Sequence, residues 1–401
     1  MGEVTIEIQN GGLGLTSENT DKYTGLIIEV GVLPVGWVDN AVKEVANMQA
    51  LEALGVEETG LIDCKHIWYH ANEFFRLAPD ALLFIMLTTD VFSAAKLSAI
   101  TDFNDNIRLI GYNSAVTVVG VTQIDALQTK AKAMFDDAAL PVRVVFSGTL
   151  STIDPSTATD GADRVLYDCV QDITVGSLAL AVHTGNSGQC GATGTWLGLY
   201  AGRPVHQKPS WVQTGDISGL NWSDYAFVDV VGTSIKNYTQ TQIDAKAAIG
   251  INIPRKYPRS TGTYMSDGRS STLSTNDFKI LNYGRVIDKA SVLVYDATLP
   301  SVDRPAYVDA TTGKLTPDTI EYLRAVAYNA IQDNMIGGKS GNNVELSVDG
   351  RTGRLQIDAI TIDPAQNVIS TEKIEIIIGL VPVGSSKTIS IKIGLRNPAI
   401  A

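Results

Sequence analysis

Cys64, His66 and His70 lie close together in the chain, and the two histidines are four residues apart. On a helix that spacing puts both rings on one face, as a zinc site requires. A fourth ligand is not evident, because His183 and His206 are distant in sequence. Trp68 and Tyr69, lying between the two, mark a packed helix face instead, and no metal site is expected. "GGKSG" from Gly337 carries the Gly-Lys-Ser of a phosphate-binding loop, but Asp333 stands where the first glycine belongs. The stretch also follows a helix where it should join a strand to a helix. "SGQCGATGTW" has the look of a cysteine-nucleophile segment, yet the nucleophile position is Thr193, which leaves Cys190 as a small loop or buried residue. Gly185-Asn186-Ser187 continues as Gly188-Gln189, so no Gly-x-Ser-x-Gly elbow forms. Carboxylates are plentiful, but spacing alone pairs none of them as acid and base. These residues predict no enzyme and no cofactor.

Composition narrows the partners. The 401 residues carry 31 Lys and Arg against 43 Asp and Glu, a formal charge of −12 without any block of like charge. A nucleic-acid partner would demand a basic face, so none is expected. Three scattered cysteines, Cys64, Cys169 and Cys190, fit a reducing compartment better than a disulfide framework. The N-terminus lacks the cationic and apolar segments of a signal peptide. The longest apolar run, "LLFIMLTT" from Leu82, is far below the roughly 20 residues of a membrane helix. The expectation is a soluble protein made in the cytoplasm, without membrane insertion.

The elements that must position any site alternate between two periods. "YTGLIIEVG" reads as a strand, and Asp39 as the cap of a helix through "NAVKEVANMQALEALG" that stops at Gly55. "KHIWYHANEFFRLAP" has helical spacing and leads into the strand "ALLFIMLTT". "AAKLSAITDFND" into "IRLIGYNS", and "VTQIDALQTKAKAMFDDAA" into "PVRVVFSGT", repeat the helix-to-strand order, and "SLALAVHT" reads as one more strand. Helices alternating with buried strands imply an α/β body with a largely parallel sheet. From about Gly194 the chain reads as loop-rich. The stretch from Gly250 to Ala290 reads as short strands and polar turns. A helix signalled by Thr316-Pro317-Asp318 follows, running to Met335, and then an all-β finish through "NNVELSV", "LQIDAITID", "EKIEIIIGLVPV" and "KTISIKIGL". No internal repeat is evident.

The termini raise their own question. Val4, Ile6 and Ile8 alternate with Thr5, Glu7 and Gln9, while Ile389, Ile391, Ile393 and Leu395 alternate with Ser390, Lys392 and Gly394. Each pattern marks a strand with one buried and one wet face. Such strands pair with each other inside one sheet or with the sheet of another chain, and periodicity alone leaves both open.

The order of parts from "GTYMSDGRSSTLSTNDFKILNYGRVIDKA" through "NMIGG", "VELSVDGRTGRLQIDAITIDP" and "EKIEIIIGLVPVGSSKTISIKIGL" resembles contractile tail sheath proteins of phages and phage-tail-like injection particles. "HANEFFRLAPDALLFIML" is similar to the branch found with Bacteroidetes-type bacteria. The resemblance implies an α/β body of two lobes with a mixed sheet and extended strand arms at both termini. It divides the chain into an N-terminal arm (1–16), an outer lobe (17–220), an inner assembly lobe facing the tail tube (221–385) and a C-terminal arm (386–401). It further implies that both arms complete sheets in neighbouring subunits, through Val4, Ile6, Ile8, Ile389, Ile391, Ile393 and Leu395, with Gly11, Gly12 and Gly14 as a flexible root. The helix from Asp318 would face the tube with Asp318, Glu321, Arg324, Asn329 and Asp333. The implied function is a structural sheath subunit whose partners are identical subunits, a tail tube protein, and baseplate and terminal cap proteins. It would be assembled in the bacterial cytoplasm as part of a phage virion tail or an injection particle. The rival readings are a soluble α/β enzyme using the "GNSGQCGATG" loop, and another tail or capsid component.

Overall fold

Apolar runs such as Leu26-Ile27-Ile28 and Leu83 to Leu87 have no polar alternation, which marks strands covered on both faces. A computed structural model of the chain describes residues 20–58, 62–118, 121–149, 162–168, 171–172, 174–175, 189–218, 225–226, 239–257, 259–336, 344–349, 353–356, 359–366, 368–371 and 373–384. These residues form a mixed α/β fold, in keeping with the expected class. The chain divides into two compact units, Met1–Pro300 and Ser301–Ala401. The 220/221 boundary expected from sequence therefore falls inside the first unit.

The first unit is built on a sheet in the order β11-β6-β5-β4-β1-β3-β2. Its strands are β1 (Tyr23–Glu29), β2 (Val42–Val45), β3 (Leu82–Thr88), β4 (Leu109–Val118), β5 (Arg143–Thr149), β6 (Val165–Asp168) and β11 (Ile251–Asn252). All neighbours run parallel except β2, an antiparallel edge strand on β3. Successive side chains alternate between two cores. Leu26, Ile28, Leu83, Ile85, Leu87, Val145 and Leu166 pack with α1 (Met48–Ala53), α2 (Ile62–Leu77) and α5 (Thr193–Ala201). Ile27, Phe84, Met86, Ile110, Tyr112, Val144, Phe146 and Tyr167 pack on the opposite face, with α3 (Lys96–Phe103) and α4 (Val121–Ala138). Two small antiparallel pairs lie outside this sheet, β7 (Gln171–Asp172) with β9 (Gln189–Cys190) and β8 (Thr174–Val175) with β10 (Tyr225–Ala226).

Four readings from sequence need correction. Residues 42–45 are a strand, not helix, because Val42 and Val45 pair along the open edge of β3. Asp39 instead accepts from the Thr89 N–H at 2.8 Å, and Asn47 caps the shorter α1 through the Ala50 N–H at 2.9 Å. The supposed loop after Gly194 contains α5, a helix buried on every side, so it has no polar face to betray its period. Gly194, Gly198 and Gly202 set its backbone directly against α2: a methyl at these positions would press on the carbonyls of His70, Phe74 and Leu77. Beyond α6 (Gln240–Ala248) and the hairpin of β12 (Pro254–Lys256) and β13 (Thr263–Met265), the "strands and turns" to Ala290 give way to α7 (Leu281–Thr298). Its buried face holds Asn282, Arg285 and Asp288 beside Leu281 and Val286, which hides the apolar stripe. "SLALAVHT" and "KTISIKIGL" lie outside the described residues.

The fourth correction concerns repeats. In the second unit the sequence pattern "VDATTGKL" (308–315) recurs as "VDGRTGRL" (348–355), and the described residues of the two make like hydrogen bonds. The Asp309 N–H donates to the Lys314 carbonyl at 2.8 Å, and the Asp349 N–H to the Arg354 carbonyl at 2.9 Å. Gly313 (φ +68°) and Gly353 (φ +65°) both occupy the left-handed region that the turn demands. Each turn ends in a buried leucine, Leu315 or Leu355. Between them runs α8 (Pro317–Ile331), with Pro317 as its first residue, closing through a π turn at Gln332–Ile336. Ile320 and Leu323 of α8 pack with Leu315 and Ile362. The all-β finish is reduced in the described residues to the pair β14 (Ile360–Thr361) and β15 (Ile377–Ile378) and a bridge from Leu346 to Pro382.

Candidate functional site

The carboxyl ends of parallel strands are where open α/β sheets bind ligands. Here the apolar runs end in polar residues: Glu29 on β1, Thr88 on β3, Asn113 in β4, Ser147 in β5 and Asp168 on β6, all buried. Asp168 accepts from the Ala192 N–H (2.6 Å), the Trp196 Nε1–H (2.9 Å) and the Ser147 hydroxyl (3.0 Å). The hydroxyls of Ser147 and Thr193 are 2.6 Å apart, and Asn113 Nδ2 donates to Thr193 Oγ1 at 3.1 Å. The same amide lies 3.1 Å from His70 Nε2. The Gly194 N–H donates to His70 Nδ1 at 3.3 Å. His70 Nε2 also lies 3.0 Å from His66 Nε2.

Burial pushes the Asp168 carboxyl up to about 7, while its three donors pull it down. Burial, followed by the neighbouring His66, holds His70 well below the ordinary histidine value. This chain of groups has the types of an acid–base relay, but α5 seals it: His70, Ser147, Asp168 and Thr193 expose no surface. Its polar atoms satisfy one another and pin α5 and α2 to the sheet. Of the chemical candidates, His66 and His70 do share a helix face, but their rings bond to each other. Among the described residues no three His, Cys, Asp or Glu side chains gather to hold a metal ion. Thr193 opens α5. His183, Lys339 and residues 185–188 of the "GNSGQCGATG" loop fall outside the described residues. Asn113, Ser147 and Asp168 were missed from sequence, although the polar endings of "IGYN", "VVFS" and "VLYD" were their signal.

The second candidate is the outward face of α8. Asp318, Glu321 and Asn329 are exposed on it, with Tyr322 between them, and Asp333 continues the row in the π turn. Arg324 departs from the expected set: it is half-buried, pairs with Glu321 and donates from Nε to the Ile360 carbonyl at 3.3 Å. The described charges standing clear on this row are therefore acidic. Tyr322 also closes one side of a largely apolar cavity of about 180 Å³ with Arg304, Pro305, Tyr307, Leu323 and Ile374. The arm residues Val4, Ile6, Ile8, Ile389, Ile391, Ile393 and Leu395 lie outside the described residues.

Comparison with family models matches residues 1–269 to the DUF2586 N-terminal domain and residues 277–399 to the DUF2586 C-terminal domain. This chain belongs to the DUF2586 family. No curated protein matches it in sequence. Solved structures do match along the whole DUF2586 chain. One is a chain of the anti-feeding prophage baseplate, 14% identical, with a TM-score of 0.63 over 99% of each chain. Another is the contracted helical sheath of the same prophage, 14% identical, with a TM-score of 0.64 over 98% of this chain and 99% of that one. A sheath tail protein from Listeria innocua is 8% identical, with a TM-score of 0.55 over 90% and 92%. The DUF2586 chain thus has the fold of contractile tail sheath proteins, as the sequence resemblance implied. No helix among its described residues is long and apolar enough to cross a membrane. The family's division, between residues 269 and 277, precedes α7, whereas the compact units divide after it. Side chains of α7 pair with the sheet of the first unit: Asp288 takes Arg143 of β5 at 2.5 and 3.0 Å, and Lys289 takes Asp21 at 2.7 Å.

Proposed function

We propose that this DUF2586 protein is the structural subunit of a contractile tail sheath, polymerising helically around a tail tube and contracting to drive the tube through a target envelope. The observation that carries the reading is the likeness in fold to a contracted sheath, which extends over 98% of this chain. Identical subunits are its main partners, with a baseplate at one end, a terminal cap at the other and the tube inside. Assembly takes place in the bacterial cytoplasm, within a phage virion tail or an injection particle. Contraction is a lattice transition in which packed bodies move as units and buried surface supplies the driving force, so neither nucleotide nor catalysis is required. The outward face of α8, with Asp318, Glu321, Asn329 and Asp333, faces the tube.

The terminal strands complete sheets of neighbouring copies, a head-to-tail contact that builds an open helix instead of a closed dimer. Ile391→Lys tests this, with Lys392→Thr on the opposite strand face as its control. Ile391→Lys is expected to leave a folded monomer with an unchanged melting temperature that forms no tubes under negative-stain electron microscopy, while Lys392→Thr assembles. A lowered monomer melting temperature for Ile391→Lys would place the strand in its own subunit. Wild-type protein that stays a small monodisperse oligomer under all assembly conditions would sink the sheath reading itself.

A further inference from the structure

Two loops of the first unit lie at opposite edges of its sheet. Residues 30–41 leave β1 at the carboxyl edge and return as β2, and Val91 follows β3 at the same edge. Val32, Val35, Val38 and Val91 are exposed there, Val35 by 94%. The loop is nonetheless fixed. The Trp37 ring is buried and its Nε1–H donates to the Leu54 carbonyl at 3.0 Å. Lys43 donates to the Gly36 carbonyl at 2.8 Å, and the Asn40 N–H to the Leu87 carbonyl at 2.9 Å. Asn40 Nδ2 ties the loop to the one after β3, donating to Asp39 at 3.0 Å and to Asp90 at 2.8 Å. Three carboxylates, Glu29, Asp39 and Asp90, face the buried Lys96, and Asp90 stands exposed beside Val91.

The other loop follows α5. This helix runs alongside α2 in the same direction, Gly194 against His70, Gly198 against Phe74 and Gly202 against Leu77. It therefore ends at the amino edge, where α2 leads into β3. The loop that leaves it exposes Trp211 and Val212. Arg203 holds this loop together through the Thr214 carbonyl, and the Thr214 and Gly215 N–H groups donate to the Trp211 carbonyl at 3.2 and 2.5 Å. Burial pushes the Arg203 guanidinium down to about 10, and no carboxylate among the described residues acts to raise it. Asp216, the one acid between Gly202 and Ser218, accepts instead from the Ser218 and Thr263 N–H groups at 2.8 and 3.1 Å.

From these two edges we infer a contact between copies of this chain: the valine loop of one copy seats on the Trp211 loop of the next, with Asp90 brought to Arg203. Apolar surface that is fixed beforehand loses little freedom on association, and tryptophan beside arginine is the composition of contacts that carry binding energy. A second copy fits because an apolar edge bearing carboxylates meets an apolar edge whose cation lacks one. The edges are at opposite ends of one unit, so the contact is head-to-tail and continues from copy to copy. It goes beyond the strand exchange proposed above and rests on that reading only in that copies must associate.

The test places Val35→Cys and Val212→Cys in one full-length chain, treated with a short thiol-to-thiol cross-linker under assembly conditions and resolved on a denaturing gel. The two sites cannot be bridged within one chain, since the seven residues of β1 alone span about 23 Å. Beyond the wild-type pattern, the double variant should give a ladder of dimers, trimers and longer species. An equal mixture of the two single variants should give dimers only, and each single variant alone should add nothing. Tubes in the electron microscope without a ladder would overturn this contact and leave the sheath reading standing, whereas a ladder without tubes would do the reverse. Dimers from Val35→Cys alone would show the valine loop meeting its own copy, which also overturns the head-to-tail contact. Neither tubes nor a ladder would overturn both.

Discussion

In the first unit the largest side chains, Trp196, Tyr112, Tyr167, Phe84 and Phe146, are sealed between the sheet and its helices. In the second unit Tyr322 on α8, Ile377 on β15 and Ile369 on a short helical turn stand partly in solvent, with Tyr307 and Val381 nearby in sequence. The first unit exposes large apolar side chains as well, Val32, Val35, Val38, Val91 and Trp211 on loops and Phe103 and Tyr295 on α3 and α7. The polar groups differ in the same sense. The network around Asp168 in the first unit is buried and bonded to itself, while Asp318, Glu321 and Asp333 of the second face outward. A body that seals most of its aromatic side chains carries its own stability. Among the described residues the second unit seals no aromatic ring, so its exposed apolar and acidic side chains weigh more in what it contacts.

The sharpest way to break this contrast is to remove a sealed aromatic. Trp196→Ala deletes a fully buried ring and one donor to Asp168, and should cost about 3–5 kcal/mol in urea denaturation. A cost near zero would mean that α5 does not anchor the first unit.

The next effect is pH-dependent. Asp168 titrates near 7 when folded and near the ordinary carboxylate value when unfolded, so the native state holds the extra proton between them. Stability from this group therefore falls as pH rises toward 7, by on the order of 3 kcal/mol between about pH 5 and about pH 8. His70 acts oppositely: its folded value is depressed, so its contribution is complete above the ordinary histidine value and is lost on acidification. Urea denaturation of wild type and Asp168→Asn at both pH values isolates the carboxylate, since the variant should lose only the decline above pH 5. Parallel curves would show that Asp168 stays ionised.

Within the second unit, Gly313→Ala and Gly353→Ala place a side chain at positive φ and should each cost about 1–2 kcal/mol by denaturant melts. Unequal costs would show that the two turns, alike in sequence and hydrogen bonding, are not equivalent. Smallest of all in stability are Tyr322→Ser and Ile377→Ser, expected within about 0.5 kcal/mol of wild type. Their effect belongs in the assembly assay, where fewer or shorter tubes are expected. A large loss of monomer stability would move these residues to the core side of the comparison.

Apart from residues 40–55, the strands and helices that alternate from Tyr23 to Thr149 were legible because each has a one-dimensional signature: an unbroken apolar run, or an apolar stripe of helical period. Leu82–Thr88 and Val121–Ala138 needed nothing else. The Pro317 helix start was readable because proline fits the first turn and little else in a helix. Local chemistry also sufficed to dismiss the phosphate loop, since Asp333 occupies the required glycine position.

What only the tertiary structure decided lies where the chain's own period is silent. Thr193–Ala201 is buried all round, and Leu281–Thr298 buries Arg285 and Asp288, so neither shows an apolar face against a polar one; their status as helices rests on partners elsewhere in the chain. Val42–Val45 became a strand because β3 offered an open edge. Asn113, Ser147, Asp168 and His70 are far apart in sequence; parallel register sets the first three side by side, and the packing of α2 brings His70 to them. The same register sets Arg108 beside Arg143 at the other end of the sheet. Composition and period belong to residues a few positions apart, whereas register and helix packing join residues a hundred or more apart.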